Sequence, residues 1–150
     1  MGIDKIKRRL GSDEGFTLIE LLIVIVILGI LVAIAVPSYL SFRGKAETAA
    51  SQANVRSAIP AAESYYNDNT GVSTDVDANA GTTKYQGMTG ALLRAEAPGV
   101  SVNVMGGPNA AGDGYCVQAV QGTQTFYYTG GAGGTATITS GACAAAYTVT

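Results

Sequence analysis

Gly15-Phe16-Thr17-Leu18-Ile19-Glu20-Leu21-Leu22-Ile23-Val24-Ile25-Val26-Ile27-Leu28-Gly29-Ile30-Leu31-Val32-Ala33-Ile34-Ala35-Val36 is the stretch that decides how this 150-residue chain is read. At about 1.5 Å per residue, a helix from Phe16 to Val36 covers the roughly 30 Å hydrocarbon core of a bilayer. The run is rich in β-branched residues, yet its unbroken length and lack of turn residues favour helix over strand. Gly29 costs about 1 kcal/mol in a helix interior and permits close approach by another helix. Glu20 is the one charge in the run. A carboxylate inside a bilayer costs on the order of 2.5–3.5 kcal/mol, so Glu20 is expected to be neutral, interfacial or paired.

Upstream, Lys5, Lys7, Arg8 and Arg9 form a short basic leader, which tends to stay cytoplasmic and directs the C-terminal bulk outward. Downstream of residue 15 the chain keeps Arg43, Lys45, Arg56, Lys84 and Arg94 against eight acidic side chains, so nucleic-acid binding by bulk charge is disfavoured. The chain has no His. That removes the usual general base and commonest metal ligand, and with them Ser-His-Asp and Cys-His chemistry. No constellation of Asp, Glu, Ser or Tyr at informative spacing suggests an enzyme, and no cofactor is implied.

The string Gly15-Phe16-Thr17-Leu18-Ile19-Glu20, after a basic leader and before an unbroken apolar run, resembles the processing motif of type IV pilins and pseudopilins. The resemblance implies cleavage after Gly15 by a membrane-embedded prepilin peptidase and N-methylation of the new N-terminal Phe16. It also implies that the Glu20 carboxylate meets the Phe16 amine of a neighbouring subunit during assembly. Pro37 matches the family's helix-bending proline, and Gly29 fits a helix segment that melts during assembly. A rival reading takes Ala33-Ile34-Ala35 as a secretory signal-peptidase site that releases a soluble protein. The apolar run is longer than the 7–15 residues of a signal h-region, which weighs against it.

Beyond Pro37, the residues Tyr39, Phe42, Ala46, Ala49, Ala53, Ile59, Ala62 and Tyr66 recur at three- and four-residue steps and predict one face of an amphipathic helix. Arg43 and Glu47 stand four apart as a weak surface pair. Pro60 predicts a bend or interruption. Asn67-Asp68-Asn69-Thr70-Gly71 is a stop signal. Asp75, Asp77 and Asn79 alternate as in a calcium loop, but Gly81 and Gln86 break the EF-hand pattern, leaving a solvated loop as the favoured reading. Met88 to Ala97 reads as a short helix ended by Pro98-Gly99. Four strands follow: Val100 to Val104, Tyr115 to Val120, Thr123 to Thr129 and Thr135 to Thr139, with Gly106 to Gly114 as a long turn. Tyr127 and Tyr128 point to opposite faces.

Cys116 and Cys143 in an exported chain most simply form one disulfide, which the resemblance also implies. No C-x-x-C or His supports a metal site. The expected fold is α+β: a long N-terminal helical spine, half membrane-spanning and half amphipathic, packed on an antiparallel sheet of about four strands. The expected divisions are a leader at 1–15, a membrane or filament-core helix at 16–36, an amphipathic half at 37–67, a connection with a short helix at 68–99 and the disulfide-closed sheet at 100–150. By resemblance, the function is that of a type IV pilus subunit: held in the inner membrane, then polymerised with copies of itself into a helical surface filament by the inner-membrane assembly machinery. The alternatives are a pseudopilin of a secretion or DNA-uptake system and, more remotely, a tethered or secreted domain that never polymerises.

Overall fold

The computed structural model describes residues 15–71, 77–78 and 81–150. Helix α1 spans Leu18–Asp68 and a short helix α2 spans Gly90–Glu96. Strands β1 (Val104–Pro108), β2 (Gly114–Gln121), β3 (Gln124–Gly131) and β4 (Thr139–Ser140) form one antiparallel sheet in the order β1-β2-β3-β4. The result is the expected α+β arrangement of a long N-terminal helix with a four-stranded meander. The chain divides into two compact units, Met1–Ser41 and Phe42–Thr150, with α1 contributing to both.

Within the second unit, α1 lays Ser51, Val55, Ala58, Ala61, Ala62 and Tyr65 into the core at three- and four-residue steps. Opposite them lie Tyr115, Val117 and Ala119 of β2, Val104 of β1, and Leu93 of α2, with Phe126 and Tyr128 of β3 packed alongside. Alternation along β2 sends these three residues to the helix side and Cys116 and Gln118 to the other face. Ser51 reaches the core because its hydroxyl donates to the Ala119 carbonyl at 2.7 Å, which satisfies both groups in a site without water access.

The buried stripe is displaced around the helix from the expected one. Ala62 lies on it, but Tyr39, Phe42, Ala46, Ala49, Ala53 and Tyr66 are exposed and Ile59 is half-buried. Alanine occupies several faces of this helix, so apolar spacing alone does not distinguish the face that carries Ser51 and Tyr65. Helix α1 also runs through Pro37 and Pro60 without interruption. Pro60 and Arg56 are exposed, so the Arg56 carbonyl deprived of its amide partner is open to water.

The first strand is likewise displaced from Val100–Val104 to Val104–Pro108, which makes Gly106-Gly107-Pro108 part of the sheet and not of a turn. Residues 135–138 are not in a strand, and the last strand is only Thr139–Ser140. The β2–β3 hairpin closes on Gly122-Thr123, the two-residue loop that wants glycine first. Gly122 has φ +59°, and a Cβ there would fall 2.3 Å from the Glu47 carboxyl carbon, so the hairpin tip rests directly on α1. Glu47 also accepts from the Arg43 guanidinium at 2.8 Å, the pair expected from their spacing.

The two candidate stripes make opposite predictions. Ala58→Leu, on the buried face, overpacks the core and lowers stability by about 1–3 kcal/mol. Ala53→Leu, on the exposed face, leaves it within about 0.5 kcal/mol. Urea unfolding of the detergent-solubilised chain, followed by tyrosine fluorescence, distinguishes them.

Candidate assembly segment

Gly15, Phe16 and Thr17 precede the helix, and α1 begins at Leu18. The Thr17 carbonyl accepts from the Glu20 amide at 3.1 Å and from the Leu21 amide at 3.3 Å. The Thr17 hydroxyl oxygen also accepts from the Glu20 amide at 3.3 Å. In return, Glu20 Oε2 accepts from the Thr17 amide at 3.3 Å and from the Thr17 hydroxyl at 3.1 Å. This is a capping box: Thr17 is the N-cap, Glu20 the third helical residue, and each satisfies backbone donors that an N-terminus leaves open. The carboxylate also sits at the positive end of the helix dipole. Thr-x-x-Glu before an apolar run is legible in a sequence, and this partner of Glu20 was missed there.

The large apolar side chains from Phe16 to Val36 are all about half or more exposed, with Phe16 80% exposed. Helix α1 is long and apolar enough to cross a membrane. Gly29 has open space on its side-chain face, and Pro37 is exposed. The structure therefore brings Glu20 and Thr17 together and leaves Phe16, Gly29 and Pro37 without contacts that assign them a role. The leader cations lie outside the described residues, as do Asp75 and Asn79 of the calcium-loop pattern. Among the described residues no cluster of three acidic or sulfur ligands capable of holding a metal occurs.

The remaining sites are in the second unit. Cys116 and Cys143 are joined by a disulfide with Cα atoms 6.0 Å apart. Glu63, on α1, accepts from the Tyr115 hydroxyl at 2.8 Å and from the Tyr85 hydroxyl at 3.0 Å. Tyr66, Tyr85, Tyr115 and Tyr128 follow one another at ring-centroid distances of 4.9, 4.6 and 6.0 Å. Burial first, and the hydrogen bond to the Glu63 carboxylate second, hold the phenols of Tyr85 and Tyr115 well above the ordinary phenol range. No local sequence signal links Glu63 to tyrosines 22 and 52 residues away.

Residues 11–36 match the family described as the prokaryotic N-terminal methylation motif. The chain is 55% identical over 53 residues to the type IV narrow pilus major component PilA5 of Thermus thermophilus, covering 35% of this chain and 42% of that protein. It is 34% identical over 64 residues to the type IV major pilin protein PilA of Myxococcus xanthus, covering 43% and 29%. It is also 40% identical over 58 residues to the type II secretion system core protein G of Pseudomonas aeruginosa, covering 39% and 41%. Each match thus spans less than half of the relative's length. No solved structure matches the chain.

The raised phenols give a pH dependence with a definite sign. A group whose native pKa lies above its unfolded value of about 10 stabilises the fold below that pH and loses this contribution as pH rises beyond it. The thermal unfolding midpoint is expected to be unaffected by these two groups from pH 7 to about 9.5 and to fall above about 10. Tyr85→Phe with Tyr115→Phe makes that alkaline fall shallower, as calorimetry across the pH series can check.

Over its N-terminal part, where the methylation motif spans residues 11–36, the chain is similar to type IV pilins.

Proposed function

We propose that this chain is a structural subunit of a type IV pilus, cut after Gly15 by a prepilin peptidase and N-methylated on Phe16. The observation that carries the proposal is an apolar helix, left exposed among the described residues, that bears at its first turn a carboxylate held in place by Thr17. In the inner membrane, lipid covers the helix; in a filament, helices of other copies do so. Both of Thr17's bonds use Glu20 Oε2, so Oε1 is the oxygen assigned to the Phe16 amine of a neighbouring subunit. Methylation leaves that amine cationic, so the pairing survives it. Gly29 and Pro37 supply local weakness in the helix as the subunit leaves the bilayer. The assembly machinery of the inner membrane and further copies of the chain are the partners, and the filament is displayed at the cell surface.

A second reading, the pseudopilin of a secretion or DNA-uptake apparatus, is favoured by the similarity to the secretion core protein. The disulfide-closed head supports the pilus reading over it. Immunogold electron microscopy with antibody to the head separates the two, since a pseudopilin forms only short assemblies confined to the envelope.

Mass spectrometry of material sheared from cells is expected to give a mature chain beginning at N-methylated Phe16. A chain beginning at Val36 instead identifies a secreted protein and overturns the assignment. Glu20→Ala is expected to lower sheared filament by at least about tenfold, since losing one charge pair at 1.4 kcal/mol or more changes an equilibrium by that factor. The variant subunit should accumulate in the membrane fraction on immunoblots.

A further inference from the structure

After β4 the chain crosses the sheet face that is turned away from α1. Cys143 is bonded to Cys116 on β2, and its amide donates to Gln118 Oε1 at 2.7 Å on the same strand. The chain then reaches the outer edge of β1. Tyr147 pairs with Asn109, the Thr148 amide donates to the Pro108 carbonyl at 3.0 Å, and the Thr150 amide donates to the Gly106 carbonyl at 3.2 Å. The Thr150 carbonyl in turn accepts from the Gly106 amide at 3.3 Å and from the Gly90 amide, in the first turn of α2, at 2.9 Å. Residues 147–150 therefore run along the β1 edge and bond β1 and the start of α2 together. The edge is shaped for it: a Cβ on Gly107 would fall 1.9 Å from the Thr148 carbonyl oxygen.

The hold on this segment is almost wholly backbone bonding. Thr148 and Thr150 are exposed, and Tyr147 and Val149 are only half-buried. A strand with so little buried apolar surface opens readily unless something keeps it close. The disulfide does so, by fixing the chain at the middle of the sheet, four residues before the pairing begins. Without it a single hydrogen bond, from the Cys143 amide to Gln118, is left at mid-sheet, and beyond that only β4, two exposed residues on the opposite edge, three strand spacings or about 14 Å from β1.

We propose that residues 147–150 are a disulfide-tethered strap over the β1 edge, and that reduction of Cys116–Cys143 releases it and bares a strand edge together with the first turn of α2. Cys116 is fully buried and Cys143 half-buried, so the thiolate of a dithiol reductant attacks Sγ of Cys143. The S–S bond breaks and Cys116 leaves as the thiolate, which takes up a proton. The second thiol of the reductant then displaces Cys143 and closes the reductant as a disulfide, two electrons having passed to the protein. A bare edge carries unpaired amides and carbonyls ready to pair with another strand.

Amide hydrogen exchange on the full chain in detergent micelles, with and without dithiothreitol, tests this. The amides of Gly90, Gly106, Thr148 and Thr150 are expected to exchange at least about tenfold faster on reduction, while those within the β2–β3 pairing keep their protection. Cys143→Ser should reproduce the reduced pattern without reductant. Thr148→Pro, which removes a strap amide and leaves the disulfide intact, should speed exchange at Gly90 and Gly106 in the oxidised protein. Strap amides within about twofold of the oxidised values after reduction, or equal loss of protection in β2–β3, overturn the proposal.

Discussion

Everything in this molecule depends on an apolar helix that has to be covered. Burying a large aliphatic side chain contributes about 1.5–3 kcal/mol, and the run from Phe16 to Val36 presents such a side chain at nearly every position. Summed along the helix this comes to tens of kcal/mol, which exceeds the net stability of a typical whole domain. Such a segment does not remain in water. It lies in lipid or against other apolar helices, and the hydrophobic term alone barely distinguishes the two, because hydrocarbon tails are as apolar as leucine.

In the proposed filament, Glu20 distinguishes them. In lipid an ionised carboxylate near the helix start costs on the order of 2.5–3.5 kcal/mol if it lies fully at depth. The capping box and the helix dipole offset part of that cost. The Phe16 amine of a neighbouring copy, in the filament proposed above, would offset more in a low-dielectric setting where the attraction is strong. On the proposed pilus reading, the charge favours the assembled state over the solitary one by a term that hydrophobic burial does not supply.

How much of this was legible beforehand varied with how local the cause was. The membrane-length helix, β2, β3 and the short helix α2 follow from runs and punctuation within the segments themselves. The first strand did not, because Gly106-Gly107-Pro108 reads as the start of a turn until the strap beside Gly107 explains why a side chain cannot stand there. The buried stripe of α1 was misplaced for a similar reason: Ser51 is polar in the sequence and becomes a core residue only through the Ala119 carbonyl, 68 positions away. The Thr17–Glu20 cap is entirely local, a Thr-x-x-Glu spacing at the head of the apolar run.

The second unit is held by a pattern the first lacks. Between Val55 and Tyr65 its helix face carries small residues, Ala58, Ala61 and Ala62, with Ser51 one turn earlier, and these let β2 approach closely but bury little apolar area apiece. Such a surface attracts the sheet without fixing where along the helix it sits. Polar bonds between helix and sheet fix it: Ser51 to Ala119 near one end, Glu47 to the Thr123 amide at the hairpin tip, and Glu63 to Tyr115 further along. Sliding the sheet by one helical turn would bury Ser51 and the Tyr115 hydroxyl without partners, at about 1–3 kcal/mol each. The smoothness of an alanine surface is thereby compensated by a few polar contacts with a single register, and the hydrophobic and polar terms divide between them the tasks of closing the head and aligning it.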